Sequence, residues 1–355
     1  MLKSVRDFHV KGKRVLLRCD FNVPLDEQGN ILDDFRIRKS LPTIKYLLKN
    51  NSKIIIMSHL GEPEGQVVDS LKMDKIQDAL SGYLGKPVTK TPDAIGFDVE
   101  EYSFGLAPGE ILLLENLRFH IEETNNDKEF ARFLSRYGDI YINDAFGCCH
   151  RAHASIVGVP EFLPGGIGLL VEEEIRNLNR LVKNPKKPML AIIGGKKVET
   201  KSALIDKISE IADWVLVSGL IKKEIDEKQM KFSHPEKIIG PVDAVQVGGQ
   251  EPDIGPQTIS LFNDKIKKAR TIFWNGPLGQ IEKDEFSKGT LAVAQAIAKK
   301  WFCFTAVGGG ETTEFLDKVG LTEKFDYVST GGGAMLAYLS GEELPGLTAL
   351  MKGGK

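Results

Sequence analysis

Short apolar runs alternate along the first half of the chain with segments in which apolar residues recur at helical spacing. Lys53 to Met57 and Ile111 to Leu114 have the length of buried strands. Ile37 to Leu48 and Met73 to Leu84 have the periodicity of helices that cover a core. This alternation is typical of strand–helix–strand crossovers, which build a parallel sheet with helices on both faces.

The same alternation restarts after residue 185. Apolar runs of strand length lie at Met189 to Ile193, Trp214 to Val217 and Thr271 to Trp274, with helix-like segments between them. We therefore predict an α/β protein made of two doubly wound, Rossmann-like parallel-sheet lobes.

An amphipathic segment from Val171 to Lys183 separates the two sets of strands, with acidic residues at its start and basic residues at its end. We predict a bridging helix and hinge here, although a helix facing one core would show the same pattern. The expected units are residues 1–170, the helix 171–184, residues 185–340, and a tail over 341–355 that packs back on the first lobe.

The composition is that of an ordinary globular protein. Of the 355 residues, 42% are hydrophobic and 27% charged, and the formal net charge is -2, which disfavours general nucleic-acid binding. The apolar runs are too short to span a bilayer, and the N-terminus lacks the features of a signal peptide. We expect a cytoplasmic monomer with no membrane or nucleic-acid partner and four reduced cysteines.

Basic residues follow the predicted strands of the first half. Arg18, His59 and Arg118 each come after an apolar run, where the carboxyl ends of parallel strands form a ligand crevice. Such a cluster suits a small ligand with several negative charges, because arginine matches phosphate and carboxylate. Each residue could alternatively be a solvated surface charge. A zinc site at His150 and His153 is disfavoured, because no supporting ligands accompany them.

Glycine turns end three predicted strands of the second half, at 194–195, 308–310 and 331–333. Such turns let backbone amides approach phosphate, although they also make ordinary tight connections. Lys197 and Lys201 follow the first turn, and Glu311 follows the second, as a Mg²⁺ ligand or as part of a helix start. The P-loop and dinucleotide fingerprints are missing, so a dinucleotide-dependent dehydrogenase loses support.

Several segments resemble signatures of the phosphoglycerate kinase family, in that family's order. They are Arg18-Cys19-Asp20-Phe21-Asn22-Val23-Pro24, Ser58-His59-Leu60-Gly61, Leu114 to Phe119, Asn143 to Gly147 with His150-Arg151-Ala152-His153, Trp274-Asn275-Gly276-Pro277 and Ser329 to Ala334. They span nearly the whole chain, and their combination is highly specific.

The resemblance implies a hinge-bending enzyme of glycolysis and gluconeogenesis, a phosphotransferase with a carboxyl group as acceptor. The first lobe would hold 3-phosphoglycerate or 1,3-bisphosphoglycerate, and the second would hold ADP or ATP with Mg²⁺. The small-molecule acid would contact Arg18, Asp20, Asn22, Arg36, His59, Arg118 and Arg151. The nucleotide would contact Gly194, Gly195, Lys197, Lys201, Gly219, Asn275, Pro277, Glu282, Gly309, Gly310, Thr312, Gly331 and Gly332, and the catalytic positions would be Arg36, Lys201, Gly310 and Gly333.

Three features depart from the family pattern. Glu62 stands where an arginine usually follows Ser-His-Leu-Gly, and Glu311 stands where the metal-binding residue is usually aspartate. The segments after Gly61 and between Gly219 and Asp253 look shortened. We expect Glu62 to face solvent, because an anion pointing at the acid would repel it. These departures motivate an alternative, a catalytically weak nucleotide or metabolite binder that retains the fold.

Overall fold

A computed structural model describes residues 2–195 and 199–352, except for the side chains of residues 199 and 200. The chain forms two compact units. The first comprises Met1–Glu174 and Glu343–Lys355, and the second comprises Ile175–Glu342. The boundary falls inside one helix, Leu169–Val182, which begins in the first unit and ends in the second.

The first unit contains a six-stranded parallel sheet in the order β3-β4-β2-β1-β5-β6. Its central strands are buried on both faces, as in sheets covered by helices. The strands are β1 (Arg14–Arg18), β2 (Lys53–Met57), β3 (Thr89–Lys90), β4 (Ile111–Leu113), β5 (Ile140–Asn143) and β6 (Gly165–Ile167).

The second unit contains a six-stranded parallel sheet in the order β14-β13-β12-β7-β8-β9, and a two-stranded antiparallel sheet of β10 and β11. The strands are β7 (Met189–Ile193), β8 (Trp214–Val217), β9 (Ile238–Ile239), β10 (Ala244–Val247), β11 (Gln250–Ile254), β12 (Thr271–Asn275), β13 (Phe304–Gly308) and β14 (Tyr327–Val328).

Helices connect the strands of both units. They are α1 (Phe35–Lys49), α2 (Asp74–Leu84), α3 (Phe97–Gly105), α4 (Ile121–Thr124), α5 (Lys128–Ser135), α6 (Leu169–Val182), α7 (Glu199–Ile211), α8 (Gly219–Glu227), α9 (Pro256–Lys268), α10 (Lys288–Ala298), α11 (Gly310–Lys318), α12 (Gly333–Leu339) and α13 (Pro345–Lys352). Among the described residues, no helix combines the length and the apolar composition needed to cross a membrane.

Each large sheet has a point where the connections leave in opposite directions. In the first sheet β1 lies between β2 and β5, and in the second β7 lies between β12 and β8. Ligands of open α/β sheets bind beyond the carboxyl ends of the strands at such switch points. The fold therefore indicates one candidate site after β1 and β5, and a second after β7 and β12.

The predicted fold class is confirmed, since both sheets are parallel and doubly wound. The sequence pattern missed the short edge strands β3, β6 and β9 and the pair β10–β11. Helix α6 begins and ends two residues before the predicted 171–184. In the C-terminal segment, the amide of Gly346 donates to the carbonyl of Cys149 at 2.9 Å, within the first unit.

Candidate active site

Arg18 ends strand β1 and is completely buried at the first switch point. Its Nε donates to Oγ of Ser155 at 2.8 Å, and its Nη2 lies 3.2 Å from Nδ1 of His59. Burial alone would lower the pKa of Arg18, but nearby groups that include Cys148, Glu123 and Asp20 raise it above the ordinary value. Arg18 is therefore a fixed, permanently charged part of this cluster.

His59 follows β2 and is nearly fully buried. Burial, together with the charges of Arg18, Arg118 and Arg36, moves its pKa well below the ordinary value. The imidazole is therefore neutral at physiological pH and cannot supply a charge to an anion. It can still exchange hydrogen bonds through its ring nitrogens.

Asp20 and Asn22 arrange the loop after β1. Asp20 pairs with Nη1 of Arg36 at 2.8 Å through Oδ2, and Oδ1 accepts from the amide of Asn22 at 3.1 Å. Oδ1 of Asn22 accepts from the amide of Gly61 at 2.9 Å, which ties this loop to the one after β2. The Arg36 side chain is about one-third exposed (35%), so its guanidinium is held by Asp20 yet open to a ligand.

Arg118 lies in the turn after β4 and is 3% exposed. Its Nη1 donates to the carbonyl of Gly61 at 2.8 Å, whereas its buried Nε has no hydrogen-bond partner among the described residues. Burial lowers the pKa of Arg118 from its ordinary value. An unpartnered buried donor on a cation is costly, and an anionic ligand would satisfy it.

The structure corrects the expectation for Glu62. Its side chain is 60% exposed, but its carboxylate does not simply face solvent. Oε1 of Glu62 lies 2.7 Å from Nη1 of Arg118 and 3.4 Å from Nη1 of Arg151. The attraction of two nearby guanidinium groups outweighs the full hydration that the sequence-based expectation assumed.

Asp20, His59 and Cys148 each offer a metal-ligand atom, and these atoms lie within 4.8 Å of one another. The surroundings nevertheless disfavour a cation. Asp20 is already paired with Arg36, and Arg18 lies beside His59. A divalent ion would therefore enter a positive potential and break an existing ion pair. The cluster fits an anion better than a metal.

The second candidate site lies where β7 and β12 end. The amide of Gly194 donates to the carbonyl of Asn275, and that of Gly195 donates to the carbonyl of Pro277, both at 2.8 Å. A Cβ on Gly194 would overlap the backbone of Pro277, so only glycine allows the two turns to approach this closely.

Asn275 and Thr312 tie the next glycine turn to this pair. Nδ2 of Asn275 donates to the carbonyl of Gly308 at 2.9 Å, and Oγ1 of Thr312 accepts from the amide of Gly276 at 2.9 Å. Gly309 has a φ of 98°, and a Cβ there would stand 2.8 Å from Nδ2 of Asn275. Three strand ends are thereby joined around one backbone-lined surface.

Lys201 projects from α7 into this surface and is buried. Its Nζ donates to the carbonyl of Gly194. Burial lowers the pKa of Lys201 to about 8, and the charge of Glu311 opposes the shift. Phosphate oxygens near Nζ would restore the fully charged ammonium. The other predicted lysine, Lys197, lies outside the described residues.

A cavity of about 470 Å³ opens beside these turns. This volume is within the range typical of sites for small organic ligands. Of the predicted residues, Gly195, Gly219, Pro277, Glu282 and Glu311 line it. Apolar wall residues, which suit a planar base, are Leu220, Pro241, Val242, Ile254 and Leu278.

Among the described residues, those that line the cavity do not include Gly310 or the last glycine turn. Gly310 begins α11 and Gly333 begins α12, so each turn feeds a helix N-terminus. Gly332 has a φ of 49°, and the amide of Gly331 donates to Oγ of Ser329 at 3.0 Å. The structure therefore separates the predicted nucleotide residues into a cavity group, the connected turns, and this third turn.

Two sets of site residues escaped the sequence analysis. Glu123, Cys148 and Ser155 join the cluster around Arg18. The strands β10 and β11 supply part of the cavity wall through Ala244, Gln246 and Glu251 to Ile254. The Cys148 position could have been found, because it directly follows a motif segment. Neither the acidic residues within 121–126 nor the polar strands β10 and β11 have a sequence feature that would mark them as part of a site.

Comparisons with known proteins indicate one and the same family along nearly the whole chain. The family described as phosphoglycerate kinase matches residues 5–229 and 224–342. The phosphoglycerate kinase of Pelotomaculum thermopropionicum is 40% identical over 393 aligned positions, which cover 98% of this chain and 99% of that protein. That of Dictyoglomus turgidum is 41% identical, with 98% of each covered.

Solved structures show the same relationship. Phosphoglycerate kinase from Pyrococcus horikoshii has a TM-score of 0.88 at 32% identity, covering 99% of this chain and 98% of that one. The Coxiella burnetii enzyme has a TM-score of 0.85 at 32% identity, with 99% of each covered. From the full-length match and the identities of its relatives, the chain belongs to the phosphoglycerate kinase family.

Proposed function

We propose that the chain transfers a phosphoryl group reversibly between 1,3-bisphosphoglycerate and ADP, giving 3-phosphoglycerate and ATP. The alternative of a catalytically weak binder is not favoured, because phosphoglycerate kinases align with nearly the full length of the chain. The activity is that of a phosphotransferase whose acceptor is a carboxyl group.

The acid is proposed to bind in the first unit, at Arg18, Asp20, Asn22, Arg36, His59, Arg118 and Arg151. The observation that supports this best is Arg118, a buried cation whose Nε has no partner among the described residues. The phosphate of the acid would supply the missing acceptor and most of the compensating charge. The neutral His59 would contribute hydrogen bonding and no charge.

The nucleotide is proposed to bind in the second unit. The cavity beside β10 and β11 would hold the base and ribose, with Glu282 on its lining as the ribose acceptor. The phosphates would follow the turns at Gly194, Gly195 and Gly309 toward Lys201, where backbone amides and one ammonium favour negative charge. Lys197 and the turn at 331–333 belong to the same proposal.

The donor set also fits a magnesium ion. Glu311 lies exposed in the first turn of α11 and lines the cavity, so its carboxylate could hold Mg²⁺ together with nucleotide phosphates. Bound Mg²⁺ would neutralise charge on the phosphate oxygens. The chain's own part in the reaction is to position the reactants and offset charge.

The chemistry needs no general base. In the direction that consumes ATP, the attacking group is the substrate's own carboxylate, which is already ionised at neutral pH. The oxygen–phosphorus bond to the acid forms as the bond from the γ-phosphorus to ADP breaks. Arg36 and Lys201 would stabilise charge on the transferring group, together with amides at Gly310 and Gly333.

A coupled assay of ATP formation tests this function. Purified protein should convert 1,3-bisphosphoglycerate and ADP to ATP in a Mg²⁺-dependent manner, and parallel reactions with GDP would define the nucleotide preference. A protein that binds nucleotide, as seen by a raised melting temperature, but transfers no phosphoryl group would support the weak-binder alternative.

The proposal also includes the location and oligomeric state of the protein, which we take to be a cytoplasmic monomer. The described cysteines Cys19, Cys148, Cys149 and Cys303 are all free and buried, which fits a reducing compartment. Sedimentation equilibrium measures the oligomeric state directly, and fractionation of the source cells measures the location.

A further inference from the structure

Glu62 holds two of the proposed acid-binding arginines. Oε1 lies 2.7 Å from Nη1 of Arg118 and 3.4 Å from Nη1 of Arg151, and among the described residues these guanidinium groups are its polar partners. A single carboxylate thus occupies donors that an incoming anion would need. We infer that Glu62 is an internal competitor of the substrate phosphate and sets the affinity and selectivity of the acid site.

This inference rests on the proposed function, because it takes Arg118 and Arg151 to be phosphate ligands. Of the two arginines, Arg118 supports the inference more strongly. It is 3% exposed, its Nε has no partner in the described part of the chain, and burial already disfavours its charge. Glu62 opposes that effect on the pKa of Arg118 and, within the described part of the chain, is the carboxylate that forms an ion pair with it.

Exchange of Glu62 for phosphate is physically easy. The Glu62 side chain is 60% exposed, so after release its carboxylate is hydrated at little cost. A phosphate monoester carries nearly two charges and three acceptor oxygens, whereas the carboxylate carries one charge and two oxygens. A phosphate can therefore bind the guanidinium of Arg118 more strongly than the carboxylate of Glu62 does.

The competition also gives selectivity. A dianionic phosphate gains enough from the two arginines to displace Glu62, whereas a singly charged carboxylic acid would only replace one carboxylate with another. Glu62 should therefore weaken binding of every anion but leave phosphate esters favoured over simple acids. The opposite role, in which Glu62 orients the arginines for the ligand, predicts a loss of affinity when its charge is removed.

The test compares Glu62→Gln with Glu64→Gln. Glu64 is an exposed acid in the same loop, so its variant controls for the general loss of one negative charge. In Glu62→Gln we expect the KM for 3-phosphoglycerate to fall about two- to fivefold, as for the loss of an exposed ion pair. The KM for ATP should be unchanged, and Glu64→Gln should behave as wild type.

A binding measurement separates this inference from the proposed function. Calorimetric titration with 3-phosphoglycerate and with unphosphorylated glycerate should show tighter binding of both ligands in Glu62→Gln, with the larger relative gain for glycerate, because Glu62 no longer opposes a singly charged acid. An unchanged or weaker affinity in a catalytically active Glu62→Gln protein would overturn the inference. Tighter binding by a protein that transfers no phosphoryl group would instead refute the proposed function and leave the competition intact.

Discussion

Ser155 donates two hydrogen bonds to the buried carboxylate of Glu123, from its amide to Oε2 at 2.9 Å and from its hydroxyl to Oε1 at 2.6 Å. The same hydroxyl accepts from Nε of Arg18, whose Nη2 lies 3.8 Å from Oε1 of Glu123. All three residues are buried. A buried guanidinium needs a compensating anion, so Glu123 and Ser155 fix both the charge balance and the direction of Arg18.

The first prediction is that Glu123→Gln lowers the free energy of unfolding by about 3 kcal/mol, because it removes the buried carboxylate that pairs with Arg18 in the interior. The KM for 3-phosphoglycerate should rise as well, since Arg18 loses its anchor. Urea denaturation and steady-state kinetics measure the two effects. Glu122→Gln is the matched control, because the neighbouring acid is exposed and should change stability by less than about 0.5 kcal/mol. Equal stability of the two variants would contradict the pairing.

The strand-end residues could be predicted from the sequence because the fold class alone determines where they meet. Parallel strands end at one edge of the sheet, so Arg18, which ends β1, and His59, which follows β2, had to lie close together. The same reasoning brought together Gly194, which follows β7, and Asn275, which ends β12. In both cases the apolar runs were long enough to identify each strand without any tertiary information.

The partners of these residues could not be predicted in the same way. Glu123 lies in a polar segment and has the local sequence context of a solvated acid. Its carboxylate is buried against Ser155, which lies 32 positions later in the chain, in the segment Ala154–Gly158. Glu62 meets Arg151 across 89 positions. Strand β11 contains Gln250 and Glu251, both exposed, so it lacks the apolar run that identifies a strand.

The second prediction concerns the two charges proposed to act on the transferring group. Arg36→Ala and Lys201→Ala should each lower kcat by about 10²- to 10³-fold, the usual cost of removing one transition-state donor. Both KM values should change far less, because a group that acts mainly in the transition state contributes little to ground-state binding. A large rise in KM with unchanged kcat would show that the residue only binds substrate. Arg38→Ala, which removes an exposed arginine paired with Asp34, is the control for Arg36.

The third prediction tests Glu311 as the magnesium ligand. Glu311→Ala should weaken Mg-nucleotide binding and shift the Mg²⁺ titration of activity to higher concentration, whereas Glu311→Asp keeps a carboxylate and should retain most activity. Glu314→Ala removes an exposed acid from the same helix and should leave the titration unchanged. Identical Mg²⁺ dependence in wild type and Glu311→Ala would mean that Glu311 serves only the start of α11.

The last prediction follows from Asp144, which comes directly after β5 at the first switch point. Its Oδ1 accepts from the amide of Leu170 at 2.9 Å, in the first turn of α6, and its own amide donates to the carbonyl of Arg18 at 2.8 Å. Burial raises the pKa of Asp144 to about 7, although Thr43 and backbone amides of the helix oppose the shift. The folded protein therefore binds a proton more tightly than the unfolded chain, in which the pKa is near 3.8.

This difference in pKa between the folded and unfolded states determines how the stability changes with pH. Between about pH 4 and 7 the native state holds more protons at Asp144, so its contribution to stability falls as the pH rises through that range, by roughly 2 to 4 kcal/mol in total. Asp144→Asn cannot titrate and should remove this slope, so its stability relative to wild type should improve from pH 4 to pH 7.5. Asp139 provides a control of opposite sign, because Arg14 holds its carboxylate and its pKa is lowered in spite of partial burial. Asp139→Asn should lose stability relative to wild type above about pH 4. Urea denaturation across this pH range measures both variants. Equal pH dependence of wild type and Asp144→Asn would show that Asp144 stays ionised in the folded protein.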